Sequence, residues 1–403
     1  MDNMLGINVY SEIGNLKKVV LHKPGKELEN LTPNNLERLL FDDIPFLEIA
    51  QREHYNFAKV LKENGVEILY IENLAASAIK SNEVKNEFLE DIIKKSHIKS
   101  KNVAYLIKEY LLSMPDKAII DKLIAGIRKK DLNIKEELEE YPFIMEPMPN
   151  LYFQRDPFAS IGKGISLNSM RHESRKRESI FAKYIFKYHT NFKNLNIPKW
   201  YDEFEKYNIE GGDELVLSEE LLAIGNTERT DKEAILKIAN NIFGKDNFKT
   251  ILCFEIPKIR AFMHLDTVLT MLDYDKFIIH NEIEKSLKIT SISYDKENKK
   301  LNIIEESNNI EKVLSKYLNR PVTIIKCGGG DKIISSREQW NDGANTLALS
   351  PGKVITYERN YTTNDILDKH NIEVIPIASS ELSRGRGGPR CMSMPLFREN
   401  LEY

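Results

Sequence analysis

The sequence predicts an α/β protein with a helical bundle inserted into it, and two observations lead to that prediction. Strand-like and helix-like segments alternate near both ends of the chain, with glycine and proline turns between them. Between about residues 74 and 148, glycine nearly disappears and apolar residues recur at helical spacing. The 403 residues suffice for two or three ordinary domains or for one large α/β body.

The first segment predicts a strand, a helix and a second strand. Residues 17–22 have strand character and end before the Pro24-Gly25 turn. Residues 48–64 have an apolar stripe at helical spacing and end before Gly65, and residues 66–71 have strand character.

The 74–148 segment predicts several amphipathic helices. Pro115 separates two of them because proline cannot continue a helix from its interior. A cluster of three prolines closes the segment: Pro142, Pro147 and Pro149.

Strand, turn and helix alternate again after residue 150. Gly211-Gly212-Asp213 is followed by a predicted helix at 231–243, and Gly328-Gly329-Gly330-Asp331 follows a predicted strand at 322–325. The two glycine motifs suggest repeated modules, but their spacing is too irregular to establish a repeat.

Composition narrows the functional classes. The chain has 58 basic and 61 acidic residues, a near balance that argues against a general nucleic-acid binder. It contains no apolar run of membrane-spanning length and begins without a signal-peptide pattern. The 3 cysteines fit neither a disulfide framework nor a zinc motif. We therefore expect a cytoplasmic protein with free thiols that binds neither membrane nor nucleic acid.

The loop around Cys391 has the composition of a nucleophile site. Gly385, Gly387 and Gly388 let backbone approach a ligand, and nearby arginines include Arg386. Cations lower the pKa of a thiol, so Cys391 is the predicted nucleophile. Cys253 lies in an apolar strand and is expected in the core, and Cys327 is the second candidate. An RNA-binding arginine–glycine tail is the alternative, but the segment is short and unrepeated.

Three further motifs could supply acids and a base. Asp156 is expected at a strand end before Pro157, Glu210 and Asp213 flank a glycine pair, and His264 and Asp266 share one face if their run is extended. Each also has a structural interpretation, as turn residues, a helix cap or a polar strand edge. A metal site is disfavoured because no third ligand stands at ligand spacing. Together with a thiol, such acids suit a planar guanidinium, and arginines further out suit a carboxylate.

The ordered set of motifs resembles that of arginine deiminases, members of the guanidine-modifying pentein superfamily. The resemblance spans nearly the whole chain, and the matching segments are 31–33, 39–45, 153–156, 175–178, 210–213, 224–230, 263–266 and 384–393. It implies one catalytic domain over 1–403, a five-fold pseudosymmetric α/β propeller-like barrel with the helical bundle at 74–148 inserted. It also implies hydrolysis of L-arginine to L-citrulline and ammonia without metal or organic cofactor.

The resemblance assigns roles by position. Cys391 matches the nucleophile, His264 the general acid and base, Glu210 the acid that supports the histidine, and Asp156 and Asp266 the guanidinium-binding pair. The residues expected to hold or line the rest of the substrate are Arg175, Arg229, Arg386, Asn150, Phe153 and Gly385. The choice of Arg175 over Arg177 depends on spacing alone.

Other activities remain as alternatives. They are another guanidine-modifying enzyme, such as an agmatine deiminase, a peptidyl-arginine deiminase or an amidinotransferase, and a non-catalytic arginine-binding protein. The resemblance also leads us to expect a homo-oligomer, a dimer or a tetramer, and suggests that the 31–45 loop closes over substrate.

Overall fold

The chain alternates strands and helices along its whole described length. The computed structural model describes residues 6–135, 141–284 and 286–401. The strands are β1 (Leu16–Leu21), β2 (Glu67–Tyr70), β3 (Ile127–Arg128), β4 (Phe143–Met145), β5 (Phe158–Ile161), β6 (Gly164–Leu167), β7 (Lys199–Tyr201), β8 (Glu214–Ser218), β9 (Leu221–Asn226), β10 (Thr250–Glu255), β11 (Leu269–Asp273), β12 (Lys276–Ile279), β13 (Lys288–Asp295), β14 (Lys300–Glu305), β15 (Thr323–Lys326), β16 (Leu347–Ser350), β17 (Lys353–Tyr357), β18 (Glu373–Ile377) and β19 (Met394–Arg398). The α-helices are α1 (Lys26–Glu29), α2 (Leu47–Glu63), α3 (Ile71–Ala78), α4 (Asn82–Lys95), α5 (Lys101–Leu112), α6 (Asp116–Ala125), α7 (Glu178–Tyr188), α8 (Lys232–Ile242), α9 (Asn281–Glu284), α10 (Ile310–Leu318), α11 (Lys332–Trp340) and α12 (Tyr361–Lys369).

Within the described residues, one strand pattern occurs five times. A central strand pairs antiparallel with one neighbour and parallel with the other, in the groups β19-β1-β2, β5-β6-β7, β8-β9-β10, β11-β12-β15 and β16-β17-β18. The hairpin β13–β14 extends the third group to five strands. Parallel neighbours need a crossover connection, and every one of these crossovers contains a helix: α2, α7, α8, α10 or α12.

The first of these groups joins the two ends of the chain. Its outer strand β19 comes from the C-terminal end and pairs with β1, and the backbone of Asn8 accepts a hydrogen bond from Arg398 at 2.8 Å. This pairing fixes the segment that carries Cys391, which ends just before β19.

The segment after β2 is mainly helical. Helices α3 to α6 follow one another, and α5 ends before Pro115, which is the N-cap residue of α6. The helices pack into the same apolar cluster as the sheets, since Phe88, Ile107 and Ile119 share it with Ile161 and Ile224. The short pair β3–β4 also lies in this segment, and residues 136–140 of the predicted bundle lie outside the described residues.

Most predicted elements are confirmed within one or two residues, including β1, α2, β2, α8, β10 and β15. Two local predictions are wrong. Asp156 does not end a strand, because the residues before it form a 3-10 turn, Pro149–Tyr152, and β5 begins only at Phe158. His264 and Asp266 do not share a strand, because Leu265–Thr267 form another 3-10 turn. Among the described residues, no helix has both the length and the apolar character needed to cross a bilayer.

Candidate active site

The cysteine loop follows β18 and is fixed by backbone contacts at both ends. At its start, the buried carboxylate of Glu53 on α2 accepts hydrogen bonds from the backbone of Ser380, Glu381 and Leu382 at 2.6 to 3.0 Å. In its middle, a Cβ on Gly385 would lie 1.9 Å from the Tyr152 hydroxyl oxygen, so only glycine fits there. At its end, the Cys391 carbonyl accepts a hydrogen bond from the Arg155 backbone at 3.0 Å, which places Cys391 beside the segment that carries Asp156.

The thiol of Cys391 lies next to Asp266. Its Sγ is 3.5 Å from Asp266 Oδ2, and the same oxygen accepts a hydrogen bond from Arg390 Nη1 at 2.8 Å. Arg390 also donates to both carboxylate oxygens of Glu12, at 2.9 and 3.0 Å. All four side chains are buried. The Glu12–Arg390–Asp266 group therefore fixes the position of the Asp266 carboxylate beside the sulfur.

Asn345 ties the same two segments together through its amide. Its Oδ1 accepts a hydrogen bond from the Cys391 backbone, and its Nδ2 donates to the Asp266 carbonyl, both at 3.0 Å. The side chain is fully buried just before β16. Asn345 therefore sets the spacing between the backbones of Cys391 and Asp266.

Asp156 is held by Arg175 from the turn before α7. Arg175 Nη1 donates to Asp156 Oδ2 at 2.7 Å, while the rest of its guanidinium forms a fork with Glu178 at 2.8 to 3.2 Å. Arg177 points elsewhere and donates to the Glu146 carbonyl at 2.6 Å. The choice between Arg175 and Arg177 depended on sequence spacing alone, and in the structure Arg175 is the one in contact with Asp156.

His264 is held by Glu210. The His264 Nε2 and Glu210 Oε2 atoms are 2.8 Å apart, and Arg229 Nη1 donates to the same Glu210 oxygen at 3.2 Å. The ring also packs against Gly212, where a Cβ would lie 2.7 Å from His264 Cγ. On its other side, His264 Nδ1 lies 3.8 Å from Asp156 Oδ1. Asp213 accepts from the Leu265 backbone at 2.8 Å and so orders the histidine turn.

These side chains surround one small cavity of about 20 Å³. Its walls are Leu40, Asn150, Phe153, Asp156, Arg175, Arg229, Met263, His264, Gly385, Arg386 and Cys391. Nine of these eleven residues are buried, and Leu40 and Met263 are half-buried. Asp266 and Glu210 lie directly behind the wall, in contact with Cys391 and His264. All the residues predicted for the site therefore converge on this cavity.

Two carboxylate oxygens at the cavity remain without a donor. No group in the described part of the chain donates a hydrogen bond to Asp156 Oδ1 or to Asp266 Oδ1, although both atoms are buried. An unpaired buried acceptor is costly, so such atoms indicate a position for an incoming donor. A guanidinium presents paired N–H donors in a planar fork and suits two opposed carboxylates.

The predicted effect of the arginines on Cys391 is wrong for the free protein. Burial raises the pKa of the Cys391 thiol well above its ordinary value, and the carboxylates of Asp266, Asp156 and Asp342 raise it further. Only Arg390 lowers it appreciably, and Arg390 is already neutralised by Glu12 and Asp266. Without a ligand, the thiol is therefore protonated at neutral pH.

The imidazole of His264 shows the opposite behaviour. Burial alone would lower its pKa, but Asp156, the hydrogen bond to Glu210 and Asp213 outweigh burial and raise the pKa to about 9. Burial would raise the pKa of Glu210, but Arg229 and His264 hold it well below its ordinary value. His264 is therefore an imidazolium paired with a carboxylate at neutral pH, which suits a general acid.

Asp156, Glu210 and His264 could in principle hold a metal ion, since one ligand atom of each lies within 4.8 Å of the others. Asp156 Oδ2, Glu210 Oε2 and His264 Nε2 are already engaged with one another or with Arg175 and Arg229, which leaves Asp156 Oδ1 as the carboxylate oxygen of this cluster without a donor in the described part of the chain. Two guanidinium cations at the cluster oppose a further cation electrostatically. The arrangement thus suits an acid–base group better than a metal centre.

Several residues of the site were missed by the sequence analysis. Leu40, Met263 and Glu178 stand inside the recognised motifs and could have been found there. Arg390 directly precedes the predicted nucleophile, which was a usable signal. Glu12, Glu53 and Asn345 stand in no motif, and only the fold brings them to the site.

Comparison with known proteins gives a consistent result. The family model described as arginine deiminase matches residues 37–398. An arginine deiminase from Clostridium perfringens is 53% identical over 98% of both chains, and one from Bacillus cytotoxicus is 49% identical over 98% of this chain and 99% of its own.

Similar solved structures are more distant in sequence. An amidinotransferase of saxitoxin biosynthesis from Microseira wollei has a TM-score of 0.57 at 15% identity, covering 98% of both chains. The N-terminal domain of a cyanobacterial arginine dihydrolase has a TM-score of 0.54 at 11% identity, covering 94% of this chain and 97% of its own. These likenesses identify a mixed α/β fold of the pentein type. The matched family and the close relatives together show that the chain belongs to the arginine deiminase family, the hydrolases that act on arginine.

Proposed function

We propose that the cavity hydrolyses L-arginine to L-citrulline and ammonia through a covalent S-alkylthiouronium intermediate on Cys391. One observation supports this most strongly: the Cys391 thiol and the His264 imidazolium line one buried cavity, and Asp156 in its wall and Asp266 behind Cys391 each keep one carboxylate oxygen without a donor among the described residues. The carboxylates of Asp156 and Asp266 receive the guanidinium and place its carbon near the sulfur. Family membership supports the same substrate.

The substrate itself supplies the charge that ionises the thiol. The carboxylates that raise the pKa of Cys391 are the ones proposed to bind the guanidinium. Binding a cation to Asp156 and Asp266 compensates their charge, so the pKa of the thiol falls once substrate is in place. The thiol proton leaves to solvent, and the thiolate forms beside its target.

The first half of the reaction forms the intermediate. The Cys391 thiolate attacks the guanidinium carbon, and a C–S bond forms. The imidazolium of His264 donates its proton to the departing nitrogen, the C–N bond breaks, and ammonia leaves. The charges balance: thiolate, guanidinium and imidazolium become a cationic thiouronium, neutral ammonia and a neutral imidazole.

The second half releases the product. Neutral His264 removes a proton from water, the oxygen attacks the same carbon, and the C–S bond breaks to return the thiolate. Loss of one further proton leaves citrulline, and that proton and ammonia together account for ammonium. Glu210 keeps His264 protonated again for the next turnover.

The carboxylate end of the substrate is assigned to the arginines. Arg175 is already occupied by Asp156 and Glu178, and Arg229 by Glu210. Arg386 keeps Nε and Nη1 without a hydrogen-bond partner in the described part of the chain. We therefore assign the main contact with the α-carboxylate to Arg386, with Arg175 and Arg229 near it and Asn150, Phe153 and Gly385 lining the passage.

Three features outside the cavity support further proposals on fold, assembly and location. The five repeated strand groups support a five-fold pseudosymmetric propeller-like barrel as one catalytic domain over 1–403, with the bundle at 74–148 inserted. Exposed apolar side chains on α5, namely Tyr105, Leu106 and Leu112, support a homo-oligomer, a dimer or a tetramer. The free cysteines Cys253, Cys327 and Cys391 support a cytoplasmic location.

The experiment that tests the function is a citrulline assay with free arginine, with agmatine as the competing substrate. We expect the native chain to release citrulline and ammonia in equal amounts and the Cys391→Ala variant to release none. Calorimetry should still detect arginine binding to that variant, because both carboxylates remain. Citrulline formation by Cys391→Ala would exclude the proposed nucleophile. Agmatine turnover as fast as arginine turnover would favour the alternative activity, because Arg386 would then have no carboxylate to bind.

A further inference from the structure

The guanidinium of Arg386 lies over the ring of Trp340. Its central carbon is 3.4 Å from the ring centroid, which is direct stacking contact. Trp340 is the last residue of α11, is 47% exposed and is not part of the cavity wall, whereas Arg386 is. Arginine stacks on tryptophan more favourably than on other aromatic rings.

Few polar contacts hold the same guanidinium. Its nearest carboxylate oxygen is Asp42 Oδ2, 3.7 Å from Nη1, and that distance is too long for a hydrogen bond. In the part of the chain that the structure describes, Nε and Nη1 have no hydrogen-bond acceptor although both atoms are buried. The ring is thus the closest partner of this cation.

Stacking on the face of a guanidinium leaves its edge free. The five N–H donors lie in the guanidinium plane, so a ring against one face occupies none of them. The backbone limits the position of the side chain further, because Arg386 has φ 65° and ψ 54°, in the left-handed region, between two glycines. Its Cα is therefore fixed by the loop, and the ring sets the direction of the planar group.

We propose that Trp340 is a specificity-determining residue that orients Arg386 for the α-carboxylate of the substrate. The inference depends on the proposed function, in which Arg386 binds that carboxylate. Trp340 does not line the cavity and acts through Arg386, so it is a positioning residue. It enables the enzyme to distinguish a free amino acid from an amine that carries the same guanidinium without a carboxylate.

The test compares Trp340→Ala with a matched control on the same helix. Ile333→Ala removes another exposed apolar side chain of α11, one that is 72% exposed and is not part of the cavity wall. We expect Trp340→Ala to raise KM for arginine by roughly 2- to 30-fold, which is the change in affinity that corresponds to the usual free energies of cation–π interactions, with a much smaller change in kcat. Trp340→Phe should fall between the native chain and Trp340→Ala, and Ile333→Ala should match the native chain.

Two further measurements separate orientation of Arg386 from a general structural role. The inhibition constant of agmatine should stay within about twofold in Trp340→Ala, because agmatine has no carboxylate for Arg386 to bind. In an Arg386→Ala background, Trp340→Ala should add little, since its effect passes through Arg386.

Equal losses for arginine and agmatine, additive losses in the double variant, or a Trp340→Ala variant that behaves like Ile333→Ala would each overturn the inference. In those cases the native chain still forms citrulline and the proposed function stands. Absence of citrulline from the native chain would instead overturn the proposed function itself.

Discussion

At the scale of single residues, Cys391 lies among carboxylates, and their charges determine whether its thiol is ionised. An exposed thiol near cations would be partly ionised at all times and open to oxidation or alkylation. Here burial and the charges of Asp266, Asp156 and Asp342 keep the thiol protonated until a cation arrives. In the proposed mechanism, the ligand that Cys391 attacks therefore also ionises the thiol, and the thiol of the free protein is protected from these reactions.

Alkylation of Cys391 should accordingly depend on the charge of the reagent. We expect neutral chloroacetamide to inactivate the free protein slowly at pH 7, with a rate that rises continuously as pH increases beyond 9, because the pKa of the thiol is raised. The cationic analogue 2-chloroacetamidine should react at least tenfold faster at pH 7, because it is bound by Asp156 and Asp266. The measurement is the rate of activity loss, with the modified cysteine identified by mass spectrometry.

The control for this prediction is Asp266→Asn. It removes one of the carboxylates that raise the pKa, so chloroacetamide should react faster with this variant at pH 7, and the advantage of the cationic reagent should shrink. Equal rates for the two reagents in the native protein would contradict the proposed activation.

Arg390 holds Asp266 in place through buried charge pairing. Replacing it with methionine removes the cation that is hydrogen-bonded to both buried carboxylates, Glu12 and Asp266, which costs about 3–5 kcal/mol in free energy of unfolding. Urea unfolding of Arg390→Met measures this loss. The double variant Glu12→Gln with Arg390→Met should be destabilised by less than the sum of the single changes, because they share one interaction. Strict additivity would show that the two residues act independently.

The sequence identifies some residues of the site and leaves others hidden, for a physical reason. Cys391 and His264 carry rare chemical groups next to glycines or acids, and such combinations stand out in a short window. Glu12 is one acid among 61 acidic residues, and its partner Arg390 lies 378 positions away. Nothing local distinguishes a buried glutamate from a surface one until the fold pairs it.

At the scale of elements, the 31–45 loop is held over the cavity by its own charges. Asn150 donates to the Leu39 carbonyl at 2.7 Å, and Leu40 reaches the cavity wall. Asp42 pairs with Arg260 at 2.7 Å, and Asp43 pairs with Arg384 of the cysteine loop. With this loop in place the cavity is narrow, so we propose that the loop opens to admit arginine and closes over it.

Weakening one of these pairs should shift the loop toward its open position. We expect Asp43→Ala to raise KM for arginine by about 1.5- to 5-fold, the worth of an exposed ion pair, and to speed proteolytic cleavage within 31–45. High salt should reduce the difference between variant and native protein. Glu220→Ala breaks the exposed pair with Lys249 on another part of the molecule and serves as the control. A similar KM change in that control would contradict a specific role for the loop.

The prediction of local structure failed at His264, where tertiary contacts of the site determine the backbone conformation. The run around His264 has alternating polarity, which would place His264 and Asp266 on one face if the run were extended, but Leu265–Thr267 form a 3-10 turn. The turn is fixed by Asp213, which accepts from the Leu265 backbone, and by Thr267, which donates to the His264 carbonyl at 2.7 Å. Asp213 is 52 positions from Leu265, so tertiary contacts override the local pattern.

At the scale of the whole molecule, the repeat is one of topology and not of sequence. The two glycine motifs that suggested modules occupy different places, since Gly211–Asp213 precedes the first strand of its group and Cys327–Gly330 follows the last strand of another. What recurs is strand order and crossover, which depends on alternating apolar patterns that many sequences satisfy. The alternation of strand and helix patterns therefore predicts the α/β class, the family resemblance implies a five-fold arrangement, and the structure shows five groups with the same strand pairing.

The pairing of β1 with β19 makes a prediction about chain order. Because the two ends of the chain meet in one sheet, joining them by a flexible linker and opening the chain elsewhere should preserve the fold. We expect a permutant opened at the exposed turn between β13 and β14, residues 296–299, to fold and to form citrulline at a rate close to that of the native chain.

A control permutant opened between Gly388 and Pro389 keeps the same linker but cuts the cysteine loop, where Gly388 accepts a hydrogen bond from Met392. It should be at least a hundredfold less active, because the position of Cys391 depends on that loop. Circular dichroism and the citrulline assay distinguish the two, and an unfolded first permutant would mean that the order of the strands along the chain, and not only their pairing, is needed to form the molecule.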